Sequence, residues 1–361
     1  DFSGSTFFYP IDLTNSYYAK PINFSGSTYK GWANFTDSTY QALANFTDST
    51  YQALANFTGS TYQALANFSG STYQGWANFR DSTYQGWADF RGSTYEGEAY
   101  FTDSTYQGWA NFRGSTYEGW ADFTGSTYQA LADFTDSTYQ GWANFSDSTY
   151  QGWADFTDST YKSEADFTDS TYRDRADFGN SIYQEEADLS RSTYEGWADF
   201  TDSTYKSGAY FTDSIYNDVA DFSGSIFYQK VYFGADGDNG SFSRFISCTP
   251  QFYDETNRKN TLFGSPNNDF TVENGRGYPI YRNFEGLPLG CKFLTSEQKE
   301  YLEGKLQEIE KINNKLREVK DTEEKDNLIK TLLSFYYDIS NWHWEAVTVK
   351  VEDVAAEDTE S

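Results

Sequence analysis

The chain has 361 residues with no methionine, two cysteines and one histidine, and 54 acidic against 26 basic side chains leave a formal charge of −28. Such a surplus repels phosphate backbones and anionic lipid, so nucleic acid and membrane insertion are set aside as modes of interaction, and basic proteins or cations are favoured. Aromatic residues make up 20% of the chain, with 31 Tyr, 31 Phe and 10 Trp, which speaks against disorder, and no apolar run is long enough to span a bilayer.

From Asp1 to Tyr228 the sequence repeats every eleven residues through twenty-one copies. Residues 33–43 give the pattern, Ala-Asn-Phe-Thr-Asp-Ser-Thr-Tyr-Gln-Ala-Leu. Ala fills every first position from Ala33 to Ala220, Phe or Leu every third, Ser every sixth, and Tyr or Phe every eighth. Ala33 and Phe35, like Ser38 and Tyr40, are separated by one residue, so each pair points to the same side of an extended segment. The polar Asn34 and Thr39 between them face water, and the remaining positions drift as solvent-facing sites do. An eleven-residue apolar period also fits a right-handed helical supercoil, but Thr, Ser, Tyr, Phe and Gly are poor helix formers. The repeats therefore read as a β-solenoid with the aromatic rings inside.

The stretches Ala44 to Asp48 (Ala-Asn-Phe-Thr-Asp), Ala66 to Gly70 (Ala-Asn-Phe-Ser-Gly) and Ala88 to Gly92 (Ala-Asp-Phe-Arg-Gly) resemble the pentapeptide-repeat family. That resemblance implies a right-handed four-faced β-helix in which each pentapeptide supplies one face. Residues 49–53 resemble a divergent pentapeptide centred on Tyr51, and Leu54 is left over, so each copy is five plus six residues. An eleven-residue coil leaves no room for a Phe and a Tyr, so two copies form a coil of about 22 residues. About ten coils at a strand spacing of ~4.8 Å give a rod of roughly 50 Å. Stacking then makes ladders of Phe and Tyr, with the invariant Ser as the candidate partner of the Tyr hydroxyl. Asp residues at positions two and five line up as carboxylate rows.

The eleventh position separates two series. Leu43, Leu65, Trp87, Trp109, Leu131, Trp153, Trp197 and Val219 form an apolar stripe that only Arg175 interrupts. The alternate series is broken by Glu98, Glu164 and Glu186. Either the C-terminal segment or another chain is expected to cover the stripe, unless its members are partly shielded corner residues. Asn23, Asn34, Asn45, Asn56, Asn67, Asn144 and Asn239 sit in Asn-x-Ser/Thr sequences and are glycosylation candidates, although the repeat generates most of these sequences automatically.

Residues 229–294 read as a loop-rich cap or a small adjoining domain, and Cys248 and Cys291 suit one disulfide in an oxidising compartment, two free thiols being the alternative. Asp236 and Asp238 are weak metal candidates in an Asp-x-Asp-x-Gly loop that lacks the downstream bidentate Glu of a calcium site. Residues 295–361 read as a helical hairpin, a terminal strand and an acidic tail. Thr295 to Gln298 offers a helix start, and Leu302, Leu306, Ile309, Ile312, Leu316 and Val319 keep helical spacing. A second helix runs from Glu323 to about Ser340, and residues 346–351 alternate like a strand.

The single histidine, His343, lies between Trp342 and Trp344 without a metal-ligating companion, so packing is its expected role. No acidic pair stands out for glycoside chemistry, so the chain reads as non-catalytic, without a cofactor. The leading expectation is a structural rod, a scaffold or fibre subunit that self-associates through its ends in a larger assembly. The absent methionine suggests a processed or trimmed chain and, with the cysteines and acceptor sequences, an extracellular or cell-surface location, an intracellular one staying open. The resemblance also implies an alternative, an acidic rod that mimics DNA. An ice- or cation-binding solenoid is the weaker alternative.

Overall fold

The computed structural model describes residues 1–235, 241–319 and 322–348. Each copy forms two strands of two residues, an Ala-Asn/Asp strand and a Thr-Tyr strand, and two copies close a coil with four faces. Coils stack in parallel with a step of 22 residues, so Thr28 lies beside Thr50 and Tyr29 beside Tyr51. Face I begins at Thr6–Phe7 with thirteen strands, face II at Ile11–Asp12 with eleven, face III at Tyr17–Tyr18 with eleven, and face IV at Ile22–Asn23 with ten. The chain is thus a mainly β, parallel solenoid with about 22 residues per coil, followed by a helical hairpin.

Position two, expected to face water but half-buried or buried here, and position five, expected to drift as a surface site, set the corners. At position two, the side-chain oxygen accepts the backbone N–H two residues on, at 3.2 Å for Asn45 and Thr47 and 3.1 Å for Asp133 and Thr135. Asn and Asp offer the same oxygen, which explains their exchange there. Position five is left-handed, with φ of 54° at Asp48, 56° at Asp136 and 69° at Gly59. Glycine takes this conformation without a Cβ clash, and Asp and Asn tolerate it.

Inside, like residues pile up. Tyr117 stacks on Tyr139 with centroids 4.9 Å apart and rings 0° from parallel, while Phe112 meets Phe123 edge-on at 5.0 Å. The serine column joins the coils through their backbones: Ser115 Oγ accepts the Ser93 N–H (3.3 Å) and donates to the Phe90 carbonyl (3.2 Å). The expected Ser–Tyr pairing is therefore corrected: the serine hydroxyl serves the backbone of the neighbouring coil and does not meet the Tyr hydroxyl in hydrogen-bonding geometry. The buried hydroxyls of Tyr95, Tyr117 and Tyr139 have no hydrogen-bond partner among the described residues. Loss of hydration pushes these phenols well above their usual range.

Beyond Phe227 the period ends but the ladder continues. Phe227 pairs with Phe263 and Phe263 with Phe293 on face I, and Tyr216 pairs with Phe245 on face III. Ser243 and Thr261 replace the column serines, accepting from the Ser214 N–H at 3.1 Å and donating to the Phe222 carbonyl at 2.7 Å, respectively. The cap is thus an irregular continuation of the coil. Its cysteines are free rather than joined as expected. Cys248 follows the face III strand Arg244–Phe245, whereas Cys291 precedes Lys292–Phe293 on the opposite face I. Burial pushes both thiols up, and Asp218 adds to the effect at Cys248.

Helix α1 spans Ser296–Glu318 and starts with a capping box between Thr295 and Gln298, as its sequence predicts. Helix α2 spans Thr322–Val347. It runs past Ser340 because Ile339, Trp342, His343, Ala346 and Val347 keep helical spacing. The strand expected at residues 346–351 is replaced by helix through Val347, then by one antiparallel bridge between Thr348 and Lys259; residues 349–351 lie outside the described residues. The hairpin packs on face I, where Ile226 takes the place of a threonine and is buried among Leu294, Leu302, Leu306, Ile309 and Ile339.

Candidate functional site

The surface consists of the four faces, the corners between them and the hairpin. The stripe Leu43, Leu65, Trp87, Trp109, Leu131, Trp153, Trp197 and Val219 runs along the corner between faces III and IV, each member directly before a face IV strand. Trp87 and Trp109 stack with centroids 4.8 Å apart. Where charge interrupts the row, Arg175 lies over Trp153 and Trp197 at 5.4 and 4.7 Å, so cation–π contact carries the row across the gap. Most of its members are half-exposed. Among the described residues the C-terminal segment does not cover them: the contacts of the hairpin are with face I and the cap.

Face IV carries the carboxylate row in register. Asp133, Asp155, Asp177, Asp199 and Asp221 stand beside one another in consecutive coils. Arg175 spans two of them, 2.6 Å from Asp177 and 3.0 Å from Asp199. Even so, burial and the neighbouring Asp199 push the Asp177 carboxyl up to about 6. Asp155 and Asp221 are raised as well, chiefly by burial.

Between α2 and the rod lies a cavity of about 300 Å³, lined by Asp158, Asn180, Asp202, Thr204, His343 and Trp344 among others. His343 is buried with both ring nitrogens engaged, Nδ1 at 3.1 Å from Thr204 Oγ1 and Nε2 at the Gly224 carbonyl. It is thus part of the packing between α2 and the rod. The seat of the hairpin, which the repeat spacing does not show, is marked in the sequence by Ile182 and Ile226, which replace threonine at position seven of face I.

Asn23, Asn34, Asn45, Asn56, Asn67 and Asn144 all lie at position two of faces II and IV, half-buried, with the amide oxygen engaged in the corner turn. Asn239, Asp236 and Asp238 lie outside the described residues. No group of three metal-ligating side chains occurs among the described residues. None of the described helices is long and apolar enough to cross a membrane.

A family model described as pentapeptide repeats, nine copies, matches residues 85–127. No curated protein and no solved structure matches the chain.

Proposed function

We propose that this pentapeptide-repeat β-solenoid is a non-catalytic rod, a scaffold or fibre subunit that self-associates at the surface of or outside a cell. One observation carries the reading: the coils stack in register without a break from Thr6 to Phe227, joined at each level by backbone bonds, serines and rings. Such a stack holds its length and presents each corner as a continuous row. Lateral contact with another chain would use the aromatic stripe from Leu43 to Val219, and glycans on the acceptor asparagines would suit an exported location. Sedimentation and electron microscopy over a range of concentrations test the assembly. End-to-end or side-by-side chains of rods support it, and single rods at every concentration contradict it.

The formal charge of −28 favours a second reading, an acidic rod that occupies a basic, DNA-binding protein. Competition between the rod and duplex DNA for such proteins tests it, and failure to displace DNA from any of them would sink it.

A further inference from the structure

His343 is a titratable group that pins α2 to the rod, while on α1 Glu303 accepts from the Tyr228 hydroxyl at 3.3 Å. The Gly224 carbonyl can only accept, so Nε2 carries the ring proton, and Nδ1 accepts from the Thr204 hydroxyl. Both contacts are satisfied by the neutral ring. Protonation at Nδ1 forces the Thr204 contact to reverse and adds a buried cation to a site that already holds one. The charged groups around it are Asp202 from the rod, Lys259 from the cap and, across the cavity, Asp158. The side chains that α2 itself adds to the cavity wall, Ile339, Asn341 and Trp344, are uncharged. The Asp202 carboxylate favours the imidazolium but is already paired with Lys259, whose ammonium also lies 4.2 Å over the Trp344 ring.

We propose that the hairpin is an acid-released strap: neutral His343 fastens the C-terminal end of α2 to face I, and protonation frees α2 while the rod stays folded. Burial, the largest influence on the ring, and the Lys259 ammonium hold His343 below its ordinary value of 6.5, against the opposing effects of the Gly224 carbonyl and Asp202. A lowered value in the docked state means that docking is favoured in full above 6.5 and weakens as pH falls through the docked-state value. The face IV carboxylates respond in the opposite sense, because protonation relieves their burial and mutual repulsion. Acid therefore loosens the strap under conditions that favour the rod. Release uncovers Ile182, Thr204 and Ile226 of face I.

Hydrogen exchange on the full chain, corrected for intrinsic rates, tests this at about pH 7.5 and about pH 5. The expected result is at least about a fivefold loss of protection in α2 at the lower pH, with rod peptides unchanged or better protected. In H343Q, α2 protection should be the same at both values. Equal protection of α2 in the unaltered protein overturns the proposal, as does an acid loss in H343Q matching that of the unaltered chain. If H343Q does not dock at all, the ring resonance of the single histidine decides. Titration below 6.5 in step with α2 release supports the strap, and titration at or above that value overturns it.

Discussion

Replacing Ser115 with alanine removes one hydroxyl and leaves two buried backbone groups unsatisfied, the Ser93 N–H and the Phe90 carbonyl. Each buried, unpaired group costs about 1–3 kcal/mol, so the substitution should destabilise the rod by about 2–5 kcal/mol after partial relaxation. Tyr117→Phe, two residues away, deletes an equally buried hydroxyl that makes no hydrogen bond among the described residues. It should therefore lie within about 0.5 kcal/mol of neutral or stabilise the fold. Because the stability of a solenoid is a sum of coil and nearest-neighbour contributions, the effect should concentrate in the coils that contain residues 90–95 and 112–117. Denaturant titration gives the global cost, and amide exchange at Ser93 gives the local one. If Tyr117→Phe costs as much as Ser115→Ala, the assignment of the serine column as the inter-coil fastener is wrong.

Asp177→Asn keeps the oxygen that accepts the Gly179 N–H at 3.1 Å but removes the charge. With the folded-state carboxyl raised to about 6 from 3.8, its stabilising protonation is complete below the unfolded value and lost as pH rises through about 6. The variant should thus gain up to about 2 kcal/mol at neutral pH and flatten the acid side of the pH–stability curve; an unchanged curve would contradict this. Ile226→Thr restores the repeat consensus beneath the hairpin and should cost about 1–3 kcal/mol of docking, visible as faster proteolysis of residues 296–347 with the rod intact. Trp87→Ala with Trp109→Ala should leave the coil folded while weakening association by about tenfold or more if another chain covers that corner, as sedimentation would show. Intact mass from the native source should exceed that of the bare chain if the acceptor asparagines carry glycans.

The coil was legible because its determinants are local and repeated: two inward pairs in every eleven residues cannot be buried by one copy alone, and pairing copies gives the observed step of 22. The corner chemistry was hidden because Asn and Asp, or Gly and Asp, look interchangeable in composition while sharing an acceptor oxygen or tolerance of left-handed φ. An invariant, inward Ser invites pairing with an invariant, inward Tyr, yet the backbone of the preceding coil lies closer to hand. In the cap, insertions displace the period while leaving the ladder, so a reader of spacing stops at Phe227 where the hydrogen bonds do not. Ile226 was readable as a departure from the threonine of position seven, but Ile215 shows the same change on face III, so the sequence marked the end of the rod without naming the face that the helices cover.

A cysteine pair at Thr105 and Thr127 tests the coil most directly, in a chain with Cys248→Ser and Cys291→Ala. These two residues are register partners on face III, and a strand spacing of about 4.8 Å falls within the reach of a disulfide. The pair Thr105 and Thr116, one copy apart, occupies opposite faces. A 22-residue coil predicts rapid, near-complete oxidation of the first pair and none within a single molecule for the second. Bonding of the second pair in preference to the first would contradict the account.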